Sequence, residues 1–355
     1  MRPTAAAGPD DPGAPIIRVE HLDISVRGNG GWIHLVRDLG YAVSPGGSLA
    51  IVGESGAGKS LTIRAALGLL DPRKFQVTGR VWLAGVDLDT LRPAQRRAHV
   101  TSHASLVFQD PSRSLNPIMR VGPQIAETLL KGSGRRERLS RAQARERSVE
   151  LMRAVGIGAA EERYHAYPHE LSGGMKQRIV IAIALACGSR VMFCDEPTSA
   201  LDVTTQAQIM DLLDDLRASR GITTVIITHD LALAASRAER VLVMYAGQVV
   251  ETLPAADLAA HARMPYTEAL IYAVPDPDAD GGLPRPIEGR PPDPGAPLPG
   301  CSFQPRCRYA ADDCAAQAPE LTVIDADHSL RCWHPLAARP RAPRNAAEAE
   351  EVAHQ

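Results

Sequence analysis

The sequence predicts an α/β fold: a mostly parallel sheet covered by helices, joined by a small antiparallel sheet, a helical region and a C-terminal appendage. Three observations predict it. Short apolar runs at 191–194, 223–228 and 240–245 alternate with helical patterns, as strands of a covered parallel sheet do. The apolar run 48–52 ends on a glycine-rich loop, GESGAGKS, followed by an apolar helical stretch. After about Val274 all periodicity stops, in a Pro/Gly-rich stretch that leads to four clustered cysteines.

In chain order, residues 1–14 are rich in Pro, Gly and Ala and read as a disordered tail. Residues 16–26 and 48–52 read as strands, and 80–84, between Gly79 and Gly85, as a strand of the small antiparallel sheet. From about 123 to 156 the pattern is helical and heavily charged, and its arginines read as a solvated face. The stretch 274–300 reads as a linker or an extended wrap. The expected division is 15–273 for the main domain, with a helical subdomain at about 110–178, then 274–336 for the cysteine extension and 337–355 for a second disordered tail.

The chain has 355 residues, 45% hydrophobic and 23% charged, with a net charge of -2, an ordinary globular composition. That balance gives no global attraction to nucleic acid or to an acidic membrane surface. The longest apolar run, around 179–187, is about half of the roughly 20 residues that span a bilayer. The first residues lack the apolar core of a secretory signal, so the expected compartment is the cytoplasm, with any membrane-spanning left to other subunits. In reducing cytosol, clustered cysteines are more often metal ligands than disulfides. Cys187 and Cys194 lie apart, in apolar runs, and read as buried core.

The loop Gly53, Glu54, Ser55, Gly56, Ala57, Gly58, Lys59, Ser60 fits G-x-x-x-x-G-K-[ST], with Leu61 next in the helix it opens. Glycines let backbone N–H groups curl around phosphate oxygens, Lys59 reaches the β and γ phosphates, and Ser60 ligates Mg²⁺. ATP with Mg²⁺ is the expected ligand. The run VMFCDE ends in two carboxylates: Asp195 for the Mg²⁺ shell and Glu196 as the base that polarises an attacking water. Leu171, Ser172, Gly173, Gly174 and Met175, in LSGGMKQR, put a hydroxyl and bare N–H groups at the start of a long apolar helix, a second phosphate site. One γ-phosphate does not need two such sites from one chain. The economical reading is a dimer in which each chain's LSGGM closes the other chain's ATP.

With these motifs the sequence resembles the nucleotide-binding subunits of ABC transporters over nearly all of 16–335. The resemblance implies a P-loop NTPase core of the ABC ATPase type. It implies that Gln109, in VFQDP, touches Mg²⁺ or water and senses the membrane partner. It implies that Ser199, Ala200, Leu201 and Asp202 form the loop crossing the dimer interface, and that His229, in ITHD, contacts the γ-phosphate. The family usually stacks an aromatic ring on adenine. The aligned position here is Val26, with Trp32 and His21 as nearby alternatives, and stacking is worth about 0.5–1.5 kcal/mol beyond burial.

Longer blocks resemble one branch, the ATPases of dipeptide, oligopeptide and nickel uptake: FQDPSRSLNPIMRVGPQIAE, YPHELSGGMKQRIVIAIALAC, DEPTSALDVTTQAQIM and VMYAGQVVE. The resemblance implies an importer of two permease subunits, two related ATPases and an external solute-binding protein, with this chain peripheral on the cytoplasmic face of the inner membrane. Peptides are the expected solute, with nickel second. A soluble ABC ATPase on DNA or ribosomes would carry long coiled insertions or two ATPase modules, and neither is visible.

Cys301, Cys307, Cys314 and Cys332 are spaced C-x5-C-x6-C-x17-C, unlike the paired C-x2-C of common zinc sites. Four thiolates suit a tetrahedral Zn²⁺ or an iron–sulfur cluster, and reduced thiols without metal are the third reading. The resemblance implies the [4Fe–4S] alternative, which some members of the branch carry. The segment is short and poor in large apolar residues, so a metal staple would help hold its fold.

Overall fold

The computed structural model describes residues 14–28, 30–131, 139–273, 285–296 and 298–337. Residues 1–13 and 338–355 of the expected tails, and the first part of the Pro/Gly stretch, 274–284, lie outside the described residues. The strands in chain order are β1 (Ile17–Gly28), β2 (Gly31–Val43), β3 (Ser48–Val52), β4 (Phe75–Leu83), β5 (Val86–Asp87), β6 (Ala104–Val107), β7 (Val191–Asp195), β8 (Thr223–Ile227), β9 (Arg240–Tyr245), β10 (Gln248–Pro254), β11 (Thr322–Asp325) and β12 (His328–Leu330).

They form two sheets, a four-stranded one ordered β2-β1-β4-β5 and an eight-stranded one ordered β11-β12-β10-β9-β3-β8-β7-β6. The small sheet is antiparallel throughout. In the large sheet every pair from β9 to β6 is parallel, whereas β10, β12 and β11 add antiparallel. The expected parallel sheet is therefore its centre, and one wing departs from it. The cause is local: Ala246 and Gly247 both take positive φ, 46° and 77°, the two-residue hairpin turn that folds the chain straight back beside β9.

β3, β7 and β8 are buried at every position, as strands covered on both faces must be. Along β7 the side chains alternate. Val191 and Phe193 join the core beneath the small sheet, and Met192 and Cys194 join the core of the helical side. That helical side gathers the helices Val121–Lys131, Arg141–Ala154, Gly173–Ala186 and Val203–Arg220. The charged stretch expected as one helical region is two helices. The second starts at a capping box, with Ser140 Oγ accepting from Gln143 N–H and Gln143 returning to the Ser140 N–H. It buries Ala144, Val149, Leu151 and Met152 and leaves Arg145 and Arg147 exposed, the solvated face expected.

A third core holds Tyr245, Tyr266 and Phe303, with Cys301, Cys307 and Cys332 packed against it. The cysteine segment is thus continuous with the main body. Its strand β12 pairs with β10, Glu251 opposite Leu330. Glu251 is fully buried there, and one of its oxygens accepts from the Arg263 N–H at 2.7 Å and lies 2.8 Å from His328 Nε2.

Candidate functional site

β3, β6, β7 and β8 run parallel, so their C-terminal ends open on one edge of the sheet, the usual place for a ligand in an open α/β sheet. Four catalytic-type segments start there. β3 leads into the loop Gly53–Gly58 and the helix Lys59–Ala66. β6 leads to Gln109, β7 ends on Asp195 with Glu196 next, and β8 leads to His229.

The loop needs its glycines. A side chain on Gly53, at φ 145°, would lie 2.2 Å from the Met244 carbonyl, and Gly58 enters the helix in the left-handed region at φ 99°. Lys59 is buried and folds back on the loop, donating to the carbonyls of Gly53 at 2.7 Å and Glu54 at 3.0 Å. Burial pushes its ammonium below the usual lysine range, against the pull of Glu196, Asp195 and Glu54. Ser60 Oγ donates to Asp195 Oδ1 at 2.7 Å, so two of the three expected Mg²⁺ ligands, 135 positions apart, are in contact, and the third, Gln109, bonds Glu196 instead. Ser60 and Asp195 both offer hard oxygen, the donor type Mg²⁺ takes.

Glu196 sits at φ 48°, an uncommon conformation for a residue with a side chain, held by its N–H donating to the Ile227 carbonyl. Gln109 Nε2 donates to Glu196 Oε2 at 2.9 Å, and His229 Nδ1 lies 3.7 Å from Glu196 Oε1. One oxygen of the carboxylate is thereby held by Gln109, and His229 lies beside the other beyond hydrogen-bond distance. Gln109 and His229 are exposed, so the group faces open solvent.

Leu171, Ser172, Gly173, Gly174 and Met175 open the helix Gly173–Ala186. Ser172 Oγ caps it by accepting from Met175 N–H, and Ser172 and Gly173 are exposed. A side chain on Gly174 would lie 2.4 Å from Thr205 Cγ2, and one on Gly173 would lie 3.3 Å from Leu201. This helix start therefore rests on the loop Ser199, Ala200, Leu201 and Asp202. Asp202 caps the helix Val203–Arg220, and its hydrogen bonds from the Thr205 N–H and hydroxyl hold its carboxyl below the usual range.

Of the three positions considered for adenine, His21 is tied to Asp38 at 2.7 Å, Val26 pairs within the small sheet, and Trp32 is half-exposed. A cavity of about 200 Å³ beside the loop is instead lined by His34, Leu35, Gly56, Ala57, Pro291 and Pro292 among others. His34 and the proline pair had no signal in the sequence, because chain folding alone brings 34 and 291 together.

Sequence reasoning also missed what holds Glu54. Arg306, between two of the clustered cysteines, places its guanidinium on the Glu54 carboxylate through two bonds of 2.6 and 2.9 Å. Tyr266 Oη accepts the Glu54 N–H at 2.9 Å.

Cys301, Cys307, Cys314 and Cys332 carry no disulfide, and the Cys301 N–H donates to the Cys314 carbonyl. Burial raises the thiols of Cys301 and Cys307 above the usual range and pushes Cys332 up to about 11. Neighbouring cysteines add to each rise, and Cys332 feels all three others. The four sulfurs thus belong to one electrostatic neighbourhood, which only a cation would draw into the thiolate form. Among the described residues, the group compact enough that all its donor atoms lie within 4.8 Å is Asp313, Cys314 and His334. A tetrahedral Zn–S₄ site, with Zn–S about 2.3 Å, needs sulfurs about 3.8 Å apart. The four cysteines do not form a donor group that compact among the described residues. Cys194 is buried with its thiol pushed up to about 12, whereas Cys187 is only half-buried at a helix end.

Residues 36–199 match the family model described as ABC transporter, and 250–314 the model of the oligopeptide/dipeptide transporter C-terminal region. The chain is 44% identical over 320 residues to the oligopeptide transport ATP-binding protein OppD of Mycobacterium tuberculosis, covering 90% of this chain and 52% of that protein. It therefore spans about half the length of that relative. It is 42% identical over 310 residues to a putative peptide import ATP-binding protein of Brucella abortus, covering 87% and 92%. Against the dipeptide transport ATP-binding protein DppD of Bacillus subtilis it is 40% identical over 319 residues, covering 90% and 94%. A solved dimeric ATP-binding cassette in a post-hydrolysis state, bound to ADP and Pi, superposes with a TM-score of 0.60 at 26% identity, covering 67% of this chain and 98% of that one.

Proposed function

This chain belongs to the ABC transporter family of ATP-binding proteins, in its oligopeptide/dipeptide branch, and from that premise we propose that it binds and hydrolyses ATP to power uptake of di- and oligopeptides through a membrane importer. One observation carries the proposal: Lys59, Ser60, Gln109, Asp195, Glu196 and His229 meet at one edge of the sheet, drawn from four separate strand ends.

The contacts support these proposed roles. The N–H groups of the loop and of the helix start cradle phosphates, and Lys59 exchanges the Gly53 and Glu54 carbonyls for phosphate oxygens. Ser60 and Asp195 would hold Mg²⁺, which supplies charge neutralisation on the β and γ phosphates. Glu196 accepts a proton from the attacking water as its oxygen bonds to the γ-phosphorus and the bond to the ADP oxygen breaks. Gln109 keeps the carboxylate aimed, and His229 is the residue to contact the γ-phosphate. The exposed Ser172 and Gly173, at the positive start of a fourteen-residue helix, then serve the ATP of a second subunit. The loop Ser199, Ala200, Leu201 and Asp202 lies beside them for the same interface, exposed except at the half-buried Leu201, and the adenine lies against His34 and Pro291.

The partners are two permeases, a second related ATPase and, through the permeases, an external solute-binding protein. Among the described residues no helix is long and apolar enough to cross a membrane. The proposed place of this chain is the cytoplasmic face of the inner membrane, with the permeases spanning it. Phe108 (42% exposed) and Ile118 (83% exposed), flanking the Gln109 segment, offer apolar contacts to permease helices. Cys301, Cys307, Cys314 and Cys332 would hold a [4Fe–4S] cluster, with Zn²⁺ as the alternative, because the C-x5-C-x6-C-x17-C spacing is unlike the paired C-x2-C of common zinc sites and the branch resemblance favours the cluster; its role here would be that of a staple for the segment. Cys307→Ser is expected to lose bound iron and sulfide, and full occupancy in that variant would end the assignment.

The test of the whole reading is to tag the chain in its native cell, extract membranes gently and assay the recovered assembly for peptide-stimulated ATP hydrolysis. Two permeases and a second ATPase with stimulated turnover support it. Recovery alone, or with ribosomes or DNA, overturns the transport role.

A further inference from the structure

We infer that Arg306 is a positioning residue for the phosphate-binding loop, acting through Glu54, so that the cysteine segment is a working part of the nucleotide site. The inference rests on the ATP reading above and deepens it.

Arg306 is a buried cation with a side chain only 4% exposed. A guanidinium has five N–H donors in a fixed fork. Here each has an acceptor. Nη1 donates to Glu54 Oε2 at 2.6 Å and to Tyr245 Oη at 3.3 Å. Nη2 donates to Glu54 Oε1 at 2.9 Å and to the Ile287 carbonyl at 3.3 Å, and Nε donates to the Glu288 carbonyl at 2.9 Å. A saturated fork of this kind has one geometry, which a lysine does not reproduce. It clamps three things together: the phosphate loop at Glu54, the aromatic core at Tyr245 and the chain that follows the main domain at 287–288.

Glu54 is held again from its main chain, where its N–H donates to Tyr266 Oη. The ring of Tyr266 packs on Tyr245 and Phe303, and Phe303 is three residues from Arg306. The second residue of the loop is therefore pinned by side chain and backbone alike, from positions 212 and 252 residues away.

The electrostatics give the pin a purpose. The loop has to receive a polyanion, and Glu54 puts a carboxylate in it. With Arg306 in place that charge is neutralised at contact distance. Without Arg306 the carboxylate is stranded beside incoming phosphates, and like charges disfavour binding.

The experiment is ATP affinity, read by displacement of a fluorescent ATP analogue from the full chain, for wild type, Arg306→Met, Glu54→Gln and the double variant. Couplings between linked sites are commonly about 5- to 150-fold, and Arg306→Met is expected to bind ATP about tenfold more weakly. The double variant is expected to recover most of that loss, because no carboxylate is left stranded. Unchanged affinity in Arg306→Met overturns the inference, and so does a double variant as weak as the single one, which is what a packing role alone predicts. If Arg306→Met does not fold, Arg306→Gln removes the charge while keeping amide donors, and wild-type affinity there also overturns it. A wild-type chain that does not bind ATP refutes the nucleotide reading itself, and is visible as such before any variant is compared.

Discussion

Phe303→Ala removes a ring that is 2% exposed and lies 5.3 Å from the ring of Tyr245 and 5.2 Å from that of Tyr266, both edge-on. Truncating a buried Phe costs about 3–5 kcal/mol, because the lost burial is joined by a cavity that close-packed neighbours fill poorly. The unfolding entropy of about 2.1 cal/mol/K per residue, over roughly 300 ordered residues, is about 0.6 kcal/mol/K, so a loss of about 4 kcal/mol lowers Tm by about 6 °C. The damage is expected to begin locally. Cys301, Cys307 and Cys332 pack against this core, and Tyr266 holds the phosphate loop. The assay pairs thermal unfolding with the rate at which a thiol reagent modifies metal-free protein under native conditions. The expected result is a lower Tm together with faster labelling of the clustered cysteines. A Tm within about 1 °C of wild type, or labelling as slow as wild type, would refute the claim that this aromatic core anchors the segment.

Glu196→Gln is expected to cut ATP turnover by roughly 10²–10⁴-fold while sparing ATP binding, and near-normal turnover in the assembled complex would remove Glu196 from the role of base. Gly174→Ala gains about 1 kcal/mol of helix propensity and meets a stiff Thr205 methyl at 2.4 Å, an overpacking cost of about 1–3 kcal/mol. The collision is expected to win, so calorimetry should show a lower Tm, and a higher one would show that Thr205 yields. Asp202 has a folded pKa depressed by its cap, so its stabilisation is full above its unfolded pKa of about 3.9 and is lost as pH falls through the folded value. Asp202→Asn keeps a capping oxygen without the charge and should lose less stability between pH 5 and 2 than wild type does, by denaturant midpoints; an identical acid limb would contradict the assignment.

The nucleotide motifs were legible because each is contiguous and tied to one backbone event, a turn or a helix start. GESGAGKS had to follow a buried strand, and Asp195 had to end one. Where those events met in space was not in the sequence: Ser60 and Asp195 share a hydrogen bond across 135 positions. β2 passed unnoticed because its exposed and buried positions alternate irregularly around a bulged partner. The mostly parallel sheet was legible, but the antiparallel β10 wing was not, because a two-residue turn reverses the direction there. Arg306 and Tyr266 gave no local signal, since a charge pair spanning 252 residues leaves no periodicity.

The pairing of β12 on β10 also settles where the large sheet stops. Without the hairpin, β10 would be an outermost strand, and the backbone N–H and C=O groups on its side away from β9 would be open to any other chain. With it, the boundary moves to β11, four residues long, where Asp325 is exposed. A short charged margin is a poor template for further strands. The cysteine segment is thus a guard on solubility as well as an addition to the nucleotide site, and a chain cut before residue 300 should self-associate through β10 even while its phosphate loop stays whole.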